Sequence, residues 1–198
     1  MNLERRHFIR MAPAAGLAVM AGSCATHPGA HSSVSAPGNL YRVDDDARIL
    51  AVAREIIAED WVATLITVDE EGVPRARSVG VNDPLPDLTI WMSTRRDSRK
   101  VDQIRRHPQA TLHFARDNLR ENFRGAYYAS LMGEAFVHVD PESYAGHAPS
   151  GEIRTENWPD FPHDYAAIRF KPRWLEVYGR GIKGKPETWQ PQAVVLPA

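Results

Sequence analysis

Leu88-Thr-Ile-Trp-Met-Ser-Thr-Arg-Arg-Asp-Ser-Arg-Lys100 reads as a strand, a turn and the start of a helix. The apolar run Leu88 to Met92 has the length and character of a buried strand. A polar turn follows, and Ser98-Arg99-Lys100 opens a segment with Val101 and Ile104 at helical spacing. Ser98 is expected to cap that helix, its hydroxyl accepting a free backbone N–H of the first turn. A helix start favours anions through its unpaired N–H groups and its dipole. Arg99 and Lys100 beside that start complete a phosphate site from local parts, each charge-assisted hydrogen bond contributing about 1.5–3 kcal/mol.

Outward from this stretch the chain alternates short strands and turns. Asp44-Asp45-Asp46 puts acid at a helix start, and Ile49, Leu50, Ala53, Ile56, Ile57 and Trp61 then recur at three and four to give one apolar face. Val62 to Val68 reads as a strand, Asp69-Glu70-Glu71-Gly72 as a hairpin turn, and Arg75 to Val81 as the returning strand. Pro108 ends the central helix. Strands are expected over Gln109–Ala115, Tyr127–Val139 with a bend at Gly133, Tyr165–Phe170 and Trp174–Tyr178, with Ala193–Leu196 as an edge. Residues 116–125 form a charged loop, Asp140-Pro141-Glu142 opens a short helix, and Gly146 to Pro162 is an irregular excursion. Short turns between strands imply antiparallel pairing. The class is therefore mainly β with α, a small barrel with covering helices. There is no G-x-G-x-x-G and no P-loop.

The chain has 198 residues, 43% of them hydrophobic and 25% charged, which suits one folded domain with extra segments. A formal net charge of −1 gives no basic field for nucleic acid. Cys24 is the one cysteine, so no internal disulfide forms. His27 and His31 lack a third ligand nearby, and no metal site is expected. His113, His138, His147 and His163 are the remaining candidates for acid–base work; none has a motif around it, a strand histidine such as His113 is expected to be a structural hydrogen bonder, and no catalytic residue is assigned.

Residues 1–24 read as an address rather than as fold. Arg5-Arg6-His7-Phe8-Ile9-Arg10, the apolar stretch Ala12 to Ala21 and the small residues before Cys24 follow the order of an export signal. The segment resembles a twin-arginine signal, with Arg10 where a lysine is usual, and Cys24 resembles the lipidated cysteine of a bacterial lipoprotein. The resemblance implies the twin-arginine machinery as a partner and a periplasmic location, either free or anchored through a lipid at Cys24. Removal of the signal takes Arg5, Arg6, Arg10 and Glu4 away and leaves the chain more acidic, so only the lipid would hold it to a membrane. Residues 25–40 are a Ser-, Gly-, Ala- and Pro-rich linker, and 41–198 the folded domain.

Gly72-Val-Pro74-Arg-Ala-Arg77-Ser-Val79, Thr94, Ser98-Arg99-Lys100, His107-Pro108 and Tyr128-Ala-Ser-Leu-Met-Gly-Glu134 occur in that order. The order resembles the pyridoxamine 5′-phosphate oxidase-like family of FMN-binding split β-barrels, in its general-stress-protein branch. The resemblance implies FMN as cofactor, with Arg99 and Lys100 on its phosphate, Arg77, Ser78 and Val79 along the flavin, and Ser93, Thr94 and Tyr128 also in contact. It implies a flavin-dependent oxidoreductase of unknown small-molecule substrate, acting as a homodimer with the flavin between subunits; Trp158, Phe161 and Tyr165 are then either partner-facing anchors or ordinary core filling. F420 and haem are the cofactor alternatives, and a non-catalytic binding module is the alternative to an enzyme. Asn82 stands where true pyridoxamine-phosphate oxidases carry lysine, and no Arg-x-His segment follows Gly179, so vitamin B6 oxidation is not expected.

Overall fold

The strand patterns translate directly into a sheet. In the computed structural model, residues 35–116 and 125–197 are described, all within the second of the chain's two units, Ser33–Ala198. The expected export signal, most of the linker and residues 117–124 of the charged loop lie outside the described residues.

Helix α1, Asp46–Ala58, buries Ile49, Val52, Ala53, Ile56 and Ile57 on one face. Trp61, expected on that face, lies beyond the helix end and is 75% exposed. Strand β1, Val62–Val68, alternates buried Ala63, Leu65 and Thr67 with half-buried neighbours. Its hairpin partner β2 is Pro74–Gly80. Asp69 shapes the turn between them: its Oδ1 accepts from the N–H of Val73 at 2.8 Å and of Glu71 at 3.2 Å. Gly72 supplies the positive φ of 79° that the turn needs.

Strand β3 is Ile90–Arg95, two residues later than the apolar run suggests. Leu88 adopts φ 63° because Asp87 captures both the N–H and the hydroxyl of Thr89, which closes a turn before the strand begins. Burial of Leu88 to 1% exposure offsets the strain. Helix α2, Arg99–Arg106, buries Val101 and Ile104, so its Arg99 and Gln103 flank lies outside the core. Strands β4, Gln109–Arg116, and β5, Tyr127–His138, follow. A short 3-10 helix, Pro141–Tyr144, stands where a short helix was expected, and helix α3, Gly151–Asn157, occupies part of the stretch expected to be irregular.

The two strands expected over 165–178 are one, β6, Tyr165–Tyr178. Pro172 lies inside it, at the point where β6 leaves its partner β3 and before it takes up β7, Gln192–Val195. There the β5 register jumps: Met132 pairs with Trp174, Gly133 with Pro172, and Arg173 is the bulged residue. The antiparallel sheet has seven strands in the order β2-β1-β4-β5-β6-β3, with β7 on β6. It does not close; its two ends meet at one backbone bond, Asn82 N–H to the Trp91 carbonyl at 2.9 Å.

The main core packs α1 and α2 against Leu65, Leu112, Leu131, Ile168, Phe170 and Leu175. A second cluster covers the opposite face of β3 and β6 with Trp91, Tyr144, Trp158, Tyr165 and Ala167, and Phe161 packs on it. Trp158 and Tyr165 are thus buried within one chain, at 9% and 0% exposure, rather than presented to a partner. Their neighbours supply the reason: Tyr165 has Tyr144, Trp158 and Phe161 rings within 4.8 to 5.3 Å.

Candidate functional site

Three cations converge where β2, β3 and α2 meet. Arg77 projects from β2 on the core side of the hairpin, opposite Leu65. Its guanidinium donates to Thr67 Oγ1 at 2.6 Å and to Gln103 Oε1 at 2.7 Å, while the Thr67 hydroxyl donates to the same Gln103 oxygen at 2.6 Å. This triangle locks Arg77 in a half-buried position. Lys100 reaches back from the first turn of α2 and donates to Thr94 Oγ1 at 2.8 Å. Arg99, exposed beside it, faces Arg77 closely enough to be felt electrostatically.

Ser98 does not cap α2 with its side chain; its hydroxyl pairs with Thr94 Oγ1 at 3.1 Å. The first N–H groups of α2 are therefore left for another acceptor. Burial, then the charge of Arg77, pulls the Lys100 ammonium below its usual pKa. Burial, then Arg99 and Arg75, lowers that of Arg77. None of Arg77, Arg99 and Lys100 has a carboxylate partner among the described residues, whereas Arg75 pairs with Asp69 at 2.6 Å and Arg106 with Glu70. Mutually repelling, partly desolvated cations without an anion are arranged to receive one. A phosphate fits the donor set: two guanidiniums, an ammonium and a helix start.

The cradle opens into a cleft of about 310 Å³ lined by Asp69, Glu70, Glu71, Arg75, Arg99, Asp102, Gln103 and Arg106. The other expected contact residues are distributed around it. Val79 packs on the main core. Ser93, one residue before Thr94 in a strand, points to the opposite face, where its hydroxyl lies 3.1 Å from Tyr165 Oη. Ser78 is exposed on the far face of the hairpin from Arg77.

Tyr128 is likewise away from the cradle, on an open sheet face. In register across five strands that face carries Ser78, Thr64, His113, Ser130 and Glu176. His113 Nδ1 lies 2.7 Å from Ser130 Oγ, the structural bond expected of a strand histidine. Tyr128 stacks near His113 and on Tyr178, at 5.4 and 6.0 Å, and burial followed by the Glu176 charge pushes its phenol up. Half-buried Val62, Ile66, Met132 and Trp174 flank this row.

A family model described as pyridoxamine 5′-phosphate oxidase matches residues 49–178, a span that begins in α1 and runs through β6. The chain belongs to the pyridoxamine 5′-phosphate oxidase family. Solved structures agree on the fold. A protein from Clostridium acetobutylicum related to general stress protein 26 superposes with a TM-score of 0.56 at 19% identity, over 67% of this chain and 89% of that one. The general stress protein 26 of Bacillus anthracis gives 0.50 at 17%, over 72% and 98%. A haem-binding protein from Mycobacterium smegmatis gives 0.55 at 18%, over 72% of this chain and 56% of that one. No curated protein matches the chain.

Thr67 and Gln103 escape sequence reasoning. Gln103 follows Arg99 by four residues and so shares its helix face, which was the available signal. Thr67, at 0% exposure, reads from sequence as one more β-branched strand residue.

Proposed function

We propose that this protein is an exported flavoprotein that binds FMN and uses it as an oxidoreductase on a small molecule. The observation that carries the reading is the convergence of Arg77, Arg99 and Lys100 without a carboxylate partner, next to the free start of α2. Arg99, Lys100 and the first N–H groups of α2 would hold the phosphate, and Arg77, fixed by Gln103 and Thr67, would lie behind it. Bound FMN supplies the electron-accepting ring, and the protein contributes position and field.

The homodimer belongs to the same reading. Tyr128 lies on the open sheet face, apart from the cradle, so a flavin that touches both is completed by a second copy. That face also carries the half-buried apolar side chains Trp174, Met132, Val62 and Ile66. The N-terminal pattern, Arg5-Arg6 through Cys24, supports export by the twin-arginine route to a periplasmic or lipid-anchored location. That route carries folded proteins, which suits a cofactor loaded before export.

A non-catalytic flavin carrier is the second reading, favoured by the composition of the cradle: cations, hydroxyls and an amide, with no carboxylate or imidazole to move a proton. Arg99→Ala and Lys100→Ala are expected to weaken FMN about tenfold to a hundredfold each, and riboflavin far less. Equal loss for both ligands overturns the phosphate assignment. Flavin reduced by NAD(P)H and reoxidised over repeated cycles separates the enzyme from the carrier.

A further inference from the structure

We infer that the cofactor of this protein ends at its phosphate, and that Glu71 and Asp102 exclude flavins whose chain continues beyond it. The inference rests on the phosphate reading of the cradle and adds what happens past it. Arg99 and Gln103 line both the cradle and the neighbouring cleft, so a chain continuing from the phosphate enters that cleft.

The cleft has nothing to offer a further anion. Its guanidiniums other than Arg99 are already neutralised, Arg75 by Asp69 at 2.6 Å and Arg106 by Glu70. Asp69 is committed further, to the N–H groups of Val73 and Glu71. Glu71 and Asp102 remain, exposed and without an ion pair among the described residues. Asp102 also lies in the first turn of α2, where it competes with an incoming anion for the helix start. Past the cradle the surface is thus net negative.

FMN ends in a phosphate monoester and meets only the cations. FAD carries a second phosphate and an adenosine. The deazaflavin F420 continues through a phosphodiester into a chain of carboxylates. Both bring negative charge against Glu71 and Asp102, and the penalty is largest at low salt, since screening at 0.15 M acts over about 8 Å.

Equilibrium binding of riboflavin, FMN, FAD and F420 to the full chain at low salt tests this. FMN is expected to bind at least about tenfold tighter than FAD or F420. The double variant Glu71→Lys/Asp102→Lys is expected to narrow that gap about tenfold, with Glu71→Gln/Asp102→Asn intermediate. FAD or F420 binding within about threefold of FMN, or a gap unmoved by the lysine pair, overturns the inference. Riboflavin binding as tightly as FMN overturns the phosphate reading instead, whatever the other arms show.

Discussion

Trp158 donates its indole Nε1–H to the backbone carbonyl of Thr94 at 2.9 Å, across 64 residues of chain. The bond ties the segment around α3 to the strand residue whose side chain receives Lys100. Trp158→Phe keeps most of the ring volume but removes this buried hydrogen bond, while the Thr94–Ala166 rung of the β3–β6 ladder still serves the carbonyl. A loss of about 0.5–1.5 kcal/mol is expected, read as a lowered denaturation midpoint with unchanged slope. An unchanged midpoint would mean that water replaces the indole at no cost.

Gln103 holds Arg77 by an uncharged acceptor, which leaves the full guanidinium charge for an anion. Gln103→Glu keeps the shape and hydrogen bond but neutralises that charge. FMN affinity should drop by about tenfold or more, whereas Gln103→Met should cost less, since it frees Arg77 without cancelling it. Flavin fluorescence titration distinguishes the two; a ranking in the opposite order would show that Gln103 acts only by position.

Burial raises the Glu176 carboxyl on the open sheet face, and no cation is paired with it among the described residues. Its folded pKa lies above its unfolded one, so the native state holds the proton more tightly through that window. Stability is therefore greatest below the ordinary carboxylate value and falls as pH rises through the folded one. Glu176→Gln should raise the melting temperature at pH 7 and leave it unchanged in acid. The gain is at most about 1 kcal/mol, because the side chain is half exposed and screened. A gain that persists in acid would assign the effect to something other than charge.

Glu134 and Arg173 form the most enclosed ion pair among the described residues, at 2.9 Å with side chains 8% and 19% exposed. Arg173→Met strands a buried carboxylate and should cost about 3–5 kcal/mol, while Glu134→Met/Arg173→Met should recover most of it. Chemical denaturation of both variants measures the coupling, and simple additivity of the two losses would refute it.

Strand and helix positions were legible because each carries its own period: β1, α2 and β5 stand within a residue or two of where spacing puts them, and α1 starts where its acids put it. What failed was chemistry between distant residues. Trp158 and Tyr165 stayed open between partner-facing and core positions because the Pro- and Gly-rich segment around them hides the partners, Tyr144 and Trp91, that enclose them. Ser98 read as a cap because nothing local says that Thr94 takes its hydroxyl. Arg99 and Lys100 were visible as a tripeptide; the Thr67–Gln103 clamp on Arg77 depends on the contact between β1 and α2, which no short window contains.

The bulge at Arg173 behaves like a shift of reading frame. Before it, Ile168, Phe170 and Pro172 carry even numbers and face the main core; after it, Leu175 and Val177 carry odd ones. Across the ladder Leu131 and Ala135 keep odd numbers throughout, so only β6 changes phase. Gly133 has room for this crossing only because it lacks a side chain: a Cβ there would meet the Lys171 carbonyl oxygen at 2.1 Å. Flattening the bulge without removing a residue would turn Leu175 and Val177 outward and bring Trp174 and Glu176 in, so the more regular pairing of this same sequence is the one that cannot fold; only deletion of Arg173 gives β6 uniform alternation with both still facing inward.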